Sequence, residues 1–470
     1  MVGSDDWLSH IELDKLFALL RDNGATEVLF KVLPQNANSK NQVYIAKDFS
    51  QLGKIPMGDV EAYPSISKKN GGATAVFRAP IDLRWIDEHG QPHQALGAQL
   101  IYYPQYPEVR ISGFLRGCRE APSSLWTKEK RGTEAGRILV LGLGHGKTIL
   151  GITLPPESPA AKAITADGPY NPYSSADDKH GVLYMLPMPG RQAANSFHEL
   201  MRRLCEIHRK LWVPGQRINR HGQIVSCQAS NCNGNTLEAL LGIQSNDYAL
   251  PDFLGWEIKA RNVPNVERPG SSVITLMTPE PTAGMYVDAG LEAFLRQYGY
   301  PDTKGRPDRF NFGGIYRAGR EAHARTHVKM VLDGFNPDTG QYDPAGAIRL
   351  VDQHGHEAMA WSFTKLMDHW KVKHAHAAFV PSQPRKNPKL EYRFGIDIII
   401  GEGASFTCFL KAVHDGKIYY DPGIKIEDAS TNNPTTKRRS QFRVRSKDIP
   451  ALYDKVGVVN ACGVASGNCP

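Results

Sequence analysis

The sequence predicts two domains of different class: an all-β domain with one flanking helix, followed by an α/β domain. The chain has 470 residues, which is more than a single core usually organises. Short β-type runs fill residues 1 to about 185, whereas helical and strand patterns alternate from residue 195 onward. We therefore expect a first domain at 1–185, a linker at 186–194 and a second domain at 195–470.

The first domain begins with a helical pattern at residues 11–22 and continues as strands. Turn residues such as those at 87–90 separate the β-type runs, and short strands at this spacing favour an antiparallel barrel or sandwich. Residues 155–189 are rich in Pro, Gly, Ser and Asp, which indicates a return segment and linker. The β-type runs are EVLFKVL, NQVYIA, TAVFRAPIDLRWI, GAQLIYYP, EVRISGFL, GRILVLGL and KTILGITL.

The run GLGHGKT at residues 142–148 is similar to a phosphate-binding P-loop. A P-loop needs a glycine five residues before the second glycine, Gly146, and Leu141 stands there instead. The segment that follows, TILGITLPP, is β-branched and ends in two prolines, so it predicts a strand rather than a phosphate-binding helix. We interpret 142–148 as a hairpin and exclude nucleotide binding.

The second domain mixes helices and strands. SFHELMRRLCEIHRKLW carries apolar residues at helical spacing, and further helices are predicted near residues 236–243, 291–298 and 361–370. Predicted strands lie between and after them, which favours a single α/β domain. The predicted strands and mixed segments are GWEIKA, VITLMT, HVKMVLDGF, AAFVPSQ, FGIDIIIGE, SFTCFLKAVHDGKIYYD and QFRVRS.

One segment of this domain carries candidate chemistry. In DFLGWEIK, Asp252, Glu257 and Lys259 form a D-x₄-E-x-K pattern. Side chains alternate along a strand, so Glu257 and Lys259 share a face while Ile258 points into the core. Carboxylates beside an ammonium suit a hard divalent cation and hydrolysis of a phosphodiester. The pattern alone also occurs as a solvated strand edge, but the preceding helix adds a further acid, Glu238, with Thr236 able to cap its start.

Composition narrows the possible partners and location. The formal net charge is +8, and residues 385–447 hold 13 Lys and Arg against 7 Asp and Glu, a pattern that suits a polyanion. No run of 18 apolar residues or signal peptide is recognisable, so we expect no membrane association and a bacterial cytoplasmic location.

Seven cysteines, an odd and sparse count, favour reduced thiols. The histidines near 354–376 and Cys227 with Cys232 lack the spacing of a zinc site.

The stretch CNGNTLEALLGIQSNDYALPDFLGWEIKA resembles the signature of the MvaI and BcnI restriction endonucleases, in the MutH-like branch of PD-(D/E)xK nucleases. The resemblance implies an α/β MutH-like nuclease domain that leaves 5′-phosphate and 3′-hydroxyl ends. It also implies that Asp252, Glu257 and the Ile258 carbonyl hold Mg²⁺, that Lys259 positions the attacking water, and that Glu238 supports the metal or the lysine. YYDPGIKIED and KRRSQFRVRS resemble the DNA-reading segment of that family, with Asp421, Arg438, Arg439 and Arg443 as candidate base readers.

The N-terminal domain resembles the effector domain of EcoRII-type enzymes, a DNA-binding pseudobarrel. FKVLPQNANSKNQVYIAKDF and LIYYPQYPEVRISGFLRG carry this likeness, although the glycine-rich loop is missing and the second segment has fewer basic residues. The alternative to a DNA-binding domain is that these two segments are simply a polar loop and strand on an ordinary barrel. The residues that would face DNA form two arms, the first Lys31, Asn36, Lys40, Asn41 and Gln42, the second Gln105, Glu108 and Arg110.

Together the two resemblances imply a Mg²⁺-dependent type IIE restriction endonuclease. We expect it to cut double-stranded DNA at a short CC-(W or S)-GG site, with CCWGG favoured, as a monomer and beside a cognate DNA methyltransferase that is not a stable subunit. A MutH-type mismatch-repair nickase is an alternative, although that enzyme lacks so large an N-terminal unit. A DNA-binding regulator with an inactive nuclease fold is another, against which the four intact residues Glu238, Asp252, Glu257 and Lys259 argue.

Overall fold

A computed structural model describes residues 5–52, 55–66, 73–144, 146–166, 179–180, 182–188, 196–229, 231–243, 253–370 and 376–466, without the side chains of 65–66, 73–75 and 179–180. The chain divides into two compact units. The first comprises residues 1–63 and 76–199, and the second comprises residues 64–75 and 200–470.

The first part of the chain is mostly β-structure, and every β-type run of the sequence forms a strand. Single helical turns lie at Asp5–Ser9, Phe49–Leu52 and Ser123–Trp126. The helices and strands are α1 (Leu13–Asp22), β1 (Ala25–Leu33), β2 (Gln42–Ala46), β3 (Glu61–Ile66), β4 (Ala73–Pro80), β5 (Asp82–Ile86), β6 (Pro92–Gln94), β7 (Gln99–Tyr103), β8 (Glu108–Ser112), α2 (Lys128–Thr133), β9 (Arg137–Gly144), β10 (Thr148–Leu154), α3 (Pro159–Thr165), β11 (Lys179–His180) and β12 (Leu183–Met185).

These strands form two sheets, in the orders β11-β12-β1-β9-β10-β5-β6 and β2-β8-β7-β4-β3. Over the described strands, both sheets are open rather than closed into one barrel, and β5 pairs parallel with β10 instead of antiparallel. The run TAVFRAPIDLRWI passes from one sheet to the other at Ile81, whose N–H donates to the Ala98 carbonyl. Fully buried aromatic side chains, Phe17, Phe30, Phe77 and Trp85 among them, fill this unit.

Two local sequence predictions have clear outcomes here. The hairpin predicted at residues 142–148 is confirmed, because β9 and β10 pair antiparallel on either side of it. The Pro- and Gly-rich segment after residue 155 is more structured than predicted, because it contains α3 and a strand, β12, that extends the sheet beyond β1. Ser158 caps α3 by accepting from the Ala161 N–H at 3.2 Å.

The second part of the chain mixes helices and strands, as the sequence predicts. A short 3₁₀ segment lies at Ser446–Ala451. The helices and strands are α4 (Ser196–Arg209), β13 (Val213–Pro214), β14 (Gln216–Ile218), β15 (Ile224–Ser226), α5 (Cys232–Leu241), β16 (Glu257–Asn262), β17 (Val273–Met277), α6 (Met285–Asp288), α7 (Gly290–Tyr298), β18 (Tyr300–Pro301), β19 (Phe310–Gly313), β20 (Val328–Phe335), β21 (Tyr342–Asp352), β22 (Glu357–Ser362), α8 (Phe363–Trp370), β23 (His376–Arg385), β24 (Glu391–Phe394), β25 (Asp397–Glu402), α9 (Phe406–His414), β26 (Ile418–Tyr420), β27 (Gly423–Glu427), β28 (Thr435–Lys437), β29 (Phe442–Arg445), β30 (Lys455–Asn460) and α10 (Ala461–Ala465).

A sheet in the order β13-β24-β23-β25-β30 forms the centre of this unit, and β16 joins it by pairing parallel with β23. Ala377, Ala378, Phe379 and Val380 of β23 are all almost fully buried. Such a continuous apolar run is typical of a strand that is covered on both faces. The central position of β23 therefore holds β16 in a fixed register, with Glu257 opposite Ala377 and Lys259 opposite Phe379.

The cysteines correct one sequence prediction. The structure joins Cys205 to Cys462 and Cys227 to Cys232 in disulfides, whereas the sparse, odd count predicted reduced thiols. The first bridge links α4 to α10 across 257 residues, a proximity that cysteine counting cannot detect. Cys118 and Cys408 are thiols. No helix within the described residues is long and apolar enough to cross a membrane.

Candidate active site

The strand that carries the E-x-K pattern begins directly after a tight turn. Phe253 and Trp256 exchange both backbone hydrogen bonds, at 3.0 and 2.8 Å. The two central residues, Leu254 and Gly255, have φ values of 47° and 90°. Two successive positive φ values are typical of a type I′ turn, which glycine adopts without strain. The turn delivers Glu257 at the first position of β16, where its carboxylate lies at the end of the strand rather than in its middle.

Glu257 and Lys259 lie side by side on one face of β16, as alternation predicts. The Lys259 Nζ atom is 2.5 Å from Glu257 Oε1. The Glu257 side chain is 3% exposed and that of Lys259 is 25% exposed, so a buried carboxylate is joined to an ammonium that reaches solvent. Burial raises the pKa of the nearby Tyr453 hydroxyl, and the negative charge of Glu257 raises it further. Ile258 is buried, as expected from its position on the opposite face.

Helix α5 carries Glu238 and is bonded to the same strand. The Asn233 Nδ2 atom donates to the Ala260 carbonyl of β16 at 3.3 Å. The Glu238 side chain lies over the first turn of its own helix, since its Oε1 is 3.9 Å from the position of a Cβ on Gly234. The predicted cap is wrong: Asn231 occupies the N-cap, and Thr236 lies inside the helix. The Thr236 hydroxyl instead accepts from the Gln216 N–H at 3.1 Å.

The predicted metal-binding residues are only partly described. Glu257 and the Ile258 carbonyl lie in β16, whereas Asp252 lies outside the described residues. Within the described ranges, no three His, Cys, Asp or Glu side chains are grouped as a cation would require. The donors that the structure does show, a buried carboxylate and an adjacent strand carbonyl, are oxygen atoms of the type that Mg²⁺ prefers.

Two of the predicted base-reading residues of the C-terminal segment, Asp421 and Arg443, are in direct contact. The Arg443 Nη1 atom is 2.5 Å from Asp421 Oδ2. The backbone of Arg439 accepts from the Gly423 N–H at 2.9 Å, and its guanidinium packs so closely on Gly423 that a side chain there would collide with it. Arg438 is exposed and lies over the Tyr286 ring, 5.9 Å from its centroid. Arg443 is therefore in direct contact with Asp421, and Arg439 lies beside Gly423, two residues further along the chain, whereas Arg438 lies against α6.

Two further cations join this cluster that sequence reasoning missed. Arg317 lies 4.3 Å from the Tyr419 ring centroid, and Tyr419 pairs with Arg443 across β26 and β29. Arg445, two residues beyond Arg443, is exposed on the same face of β29. The alternation in QFRVRS could have identified Arg445. Nothing local marks Arg317, because it lies more than 100 residues before its tyrosine partner.

Of the residues expected to face DNA in the first unit, Gln42, Glu108 and Arg110 meet on neighbouring strands. The Arg110 Nε atom donates to Glu108 Oε2 at 2.9 Å, and Nη1 donates to Gln42 Oε1 at 3.3 Å. Gln42 in turn donates to the Tyr103 hydroxyl at 3.1 Å. Strand pairing between β2, β8 and β7 therefore joins one residue of the first predicted arm to two of the second.

The other residues of the two arms are more dispersed. Lys31 lies on β1, where its Nζ donates to the Tyr44 carbonyl at 2.5 Å and burial lowers its pKa to about 8. Asn36 and Asn41 lie in the segment between β1 and β2, where buried Arg131 donates to the Asn36 carbonyl at 3.2 Å. Asn41 donates to the Trp126 carbonyl at 3.3 Å. Lys40 and Gln105 are exposed.

Comparison with known proteins identifies a family to which the chain is similar. The sequence model of the MvaI/BcnI restriction endonuclease family matches residues 201–453, more than half of the chain. A solved complex of the restriction endonuclease MvaI with its cognate DNA substrate is similar at 17% identity and a TM-score of 0.42, covering 56% of this chain and 97% of that one. MvaI in the absence of DNA is similar at 15% identity and a TM-score of 0.32, covering 57% of this chain and 99% of that one. No curated protein sequence matches.

Proposed function

The chain belongs to the MvaI/BcnI restriction endonuclease family, and on that premise we propose that it hydrolyses double-stranded DNA at a short, specific site, with Glu238, Asp252, Glu257 and Lys259 at the active centre. The observation that carries this proposal is the 2.5 Å contact between Lys259 Nζ and Glu257 Oε1. A buried carboxylate beside a partly exposed ammonium, at the start of a strand, is suited to a phosphate and an attacking water.

The active centre is proposed to use Mg²⁺, with Asp252, Glu257 and the Ile258 carbonyl as ligands. Bound there, the ion would act as a Lewis acid on the phosphate oxygens and would make water a stronger nucleophile. Glu257 contributes one buried negative charge toward the ion, while its contact with Lys259 fixes the orientation of its carboxylate. Glu238 lies on helix α5, which is bonded to β16 through Asn233, and it is proposed to support the metal or the lysine from there.

The role of Lys259 follows from its position. Its ammonium group donates hydrogen bonds and has no acceptor, so it can orient a water molecule for attack on phosphorus. The water oxygen forms the new P–O bond, the bond from phosphorus to the 3′ oxygen breaks, and the departing oxygen takes up a proton. The products are a 5′-phosphate and a 3′-hydroxyl. Removal of the ammonium should stop this reaction without removing the cations that hold DNA.

The recognition sequence is proposed to be of the CC-(W or S)-GG type, with CCWGG favoured. Arginines pair bidentately with guanine in the major groove, and a carboxylate can accept from the cytosine amino group. Arg438, Arg439 and Arg443 supply the first kind of group and Asp421 the second. The contact between Arg443 and Asp421 holds both side chains in fixed orientations, which favours base reading over loose attachment to phosphates.

The N-terminal unit is proposed to be an effector domain, a pseudobarrel of the EcoRII type that binds a second copy of the site. Gln42, Glu108 and Arg110 supply groups that suit base edges, and Lys31, Asn36, Lys40, Asn41 and Gln105 are the remaining candidate contacts. The enzyme would then be a monomeric type IIE enzyme of the bacterial cytoplasm. Its host DNA would be protected by a separate cognate methyltransferase.

Digestion of unmodified plasmid DNA by the purified protein tests the proposal. With Mg²⁺, discrete fragments are expected, and sequencing of their ends gives the site, the cut position and the end chemistry. EDTA should stop the reaction. Intact plasmid after prolonged incubation with Mg²⁺ or Mn²⁺ would refute the nuclease assignment, and random fragments would refute the site-specific one.

A further inference from the structure

The segment that leads into the active-site helix is basic and contains no acid. No Asp or Glu occurs between Glu206 and Glu238, whereas Arg209, Lys210, Arg217 and Arg220 all lie in that interval. All four side chains are exposed, and so is His221. Within this segment, residues 216–226 form the basic hairpin, which consists of β14, a turn and β15.

The basic hairpin has an ordered tip. Arg217 pairs with Val225 and Ile218 with Ile224 across its two strands. In the turn, the Asn219 side-chain oxygen accepts from the N–H groups of His221 and Gln223 at 2.9 and 3.0 Å. Gly222 has a φ of 77°, a conformation that glycine adopts freely. The tip therefore presents Arg220 and His221 from a defined backbone.

The base of the hairpin is fastened to the helix that carries Glu238. The Gln216 N–H donates to the Thr236 hydroxyl at 3.1 Å, and that hydroxyl donates to the Gln216 carbonyl at 3.3 Å. The Cys227–Cys232 disulfide joins the end of β15 to the first turn of α5. Because α5 is bonded to β16 through Asn233, a chain of direct contacts runs from the hairpin to the strand of Glu257 and Lys259.

The charges of Arg209, Lys210 and Arg217 are available to an external anion. In the described part of the chain, neither Arg209, Lys210 nor Arg217 forms an ion pair with a carboxylate. Other cations of the unit behave differently: Lys425 lies 2.5 Å from Glu427, and Arg443 lies 2.5 Å from Asp421. An exposed cation without a carboxylate nearby retains its full attraction for phosphate groups, each of which carries one negative charge.

We propose that the basic hairpin is a DNA-backbone arm, in which Arg217 and Arg220 contact phosphate groups of the duplex held at the active site. This inference rests on the proposed nuclease function. The arm would set the position of the duplex relative to Glu257 and Lys259, because its base and the active-site helix are one bonded assembly. Phosphate contacts of this kind position DNA but carry no sequence information.

Salt-dependent binding tests the arm on an inactive background. The probe is a labelled random-sequence duplex, and affinity is measured by fluorescence anisotropy at several KCl concentrations for K259A and for K259A with R217A and R220A. Each lost phosphate contact lowers the slope of log affinity against log salt by about 0.9, so the two substitutions should lower it by about 2. Affinity near 0.1 M salt should fall by about tenfold or more.

Two matched variants separate charge from structure. Lysines at the same positions (R217K with R220K) should restore most of the slope, because the charge returns. K455A removes an exposed cation from β30, at the opposite edge of the central sheet from β13, and should leave the slope unchanged. Equal slopes and affinities for the parent and the arginine-to-alanine variant would overturn the arm proposal, provided circular dichroism shows both folded.

The DNA-backbone arm proposal and the nuclease proposal can be refuted separately. If the wild-type protein cuts DNA but the arginine substitutions leave binding unchanged, the arm is wrong and the nuclease stands. If the protein cuts no DNA but binds duplex with the expected change of slope, the arm stands and the catalytic proposal is wrong. Absence of any duplex binding by the wild-type protein would overturn both.

Discussion

The Lys259 ammonium lies 2.5 Å from the Glu257 carboxylate, on one face of a strand that pairs parallel with a buried partner. The carboxylate is almost completely buried and the ammonium is not. Since a buried carboxylate is costly without a partner, the contact offsets the cost of burying Glu257 and leaves the lysine accessible from outside. The same pair therefore has a structural role and a proposed catalytic one.

Replacement of Lys259 by alanine should abolish DNA cleavage while preserving DNA binding. Loss of a group that orients or assists the attacking water lowers rates by about 10²–10⁴-fold, and the remaining cations still hold phosphates. Single-turnover cleavage and anisotropy on the same duplex measure the two effects, with K455A as a matched lysine control. Cleavage at the wild-type rate by K259A would show that the lysine is not part of the active centre.

Replacement of Arg443 by alanine should reduce discrimination between the recognition site and random DNA. A good bidentate contact to guanine contributes about 1–3 kcal/mol of discrimination, so the ratio of the two affinities should fall by about 5- to 150-fold. R445A, on the same face of β29, is the matched comparison. If R443A weakens binding to both DNAs equally, Arg443 contacts phosphate rather than a base.

A second recognition site on the same plasmid should accelerate cleavage if the N-terminal unit is an effector domain. Arg110 connects Gln42 and Glu108 in that unit, so R110A should remove the acceleration while one-site cleavage continues at its basal rate. Cleavage time courses on one-site and two-site plasmids measure this effect. Identical rates of the wild-type enzyme on the two plasmids would argue against an effector role.

The Cys205–Cys462 bridge should contribute to the stability of the second unit. It closes a separation of 257 residues, and loss of a disulfide that restricts the unfolded chain typically costs about 2–4 kcal/mol. C462S should therefore unfold at lower urea concentration than the oxidised wild-type protein, and a reductant should lower the wild-type midpoint more than that of C462S, which keeps only the short Cys227–Cys232 loop. Mass spectrometry after alkylation without reduction should find Cys205 and Cys462 unmodified.

Lys31 should make the stability of the first unit depend on pH in the alkaline range. Burial lowers its pKa in the folded state from 10.5 to about 8, so between these values the unfolded chain binds more protons and stability rises with pH. Relative to K31M, the wild-type free energy of unfolding should increase by about 1–2 kcal/mol from pH 8 to 10.5, after allowance for solvent near the side chain. Urea denaturation at several pH values measures it, and a constant difference would show that Lys31 keeps its ordinary pKa.

Local spacing in the sequence determined much of the secondary structure of this protein and the side-by-side placement of Glu257 and Lys259. The β-type runs of the first part form strands, the pattern SFHELMRRLCEIHR forms α4, and GLGHGKT forms a hairpin. The E-x-K spacing alone requires Glu257 and Lys259 to share a face of β16. These features follow from the periods of helix and strand and from the backbone preferences of Gly and Pro, which act over a few residues.

Only the tertiary structure decided which distant residues meet. The change of sheet at Ile81, the parallel pairing of β5 with β10, the Cys205–Cys462 bridge and the bond from Gln216 to the Thr236 hydroxyl all join segments that no local pattern relates. Thr236 looked like a helix cap because its neighbours are helical, but the helix begins earlier, at Cys232. Such contacts depend on the packing of whole sheets and helices against one another, and that sum over many weak interactions is not contained in any short stretch of sequence.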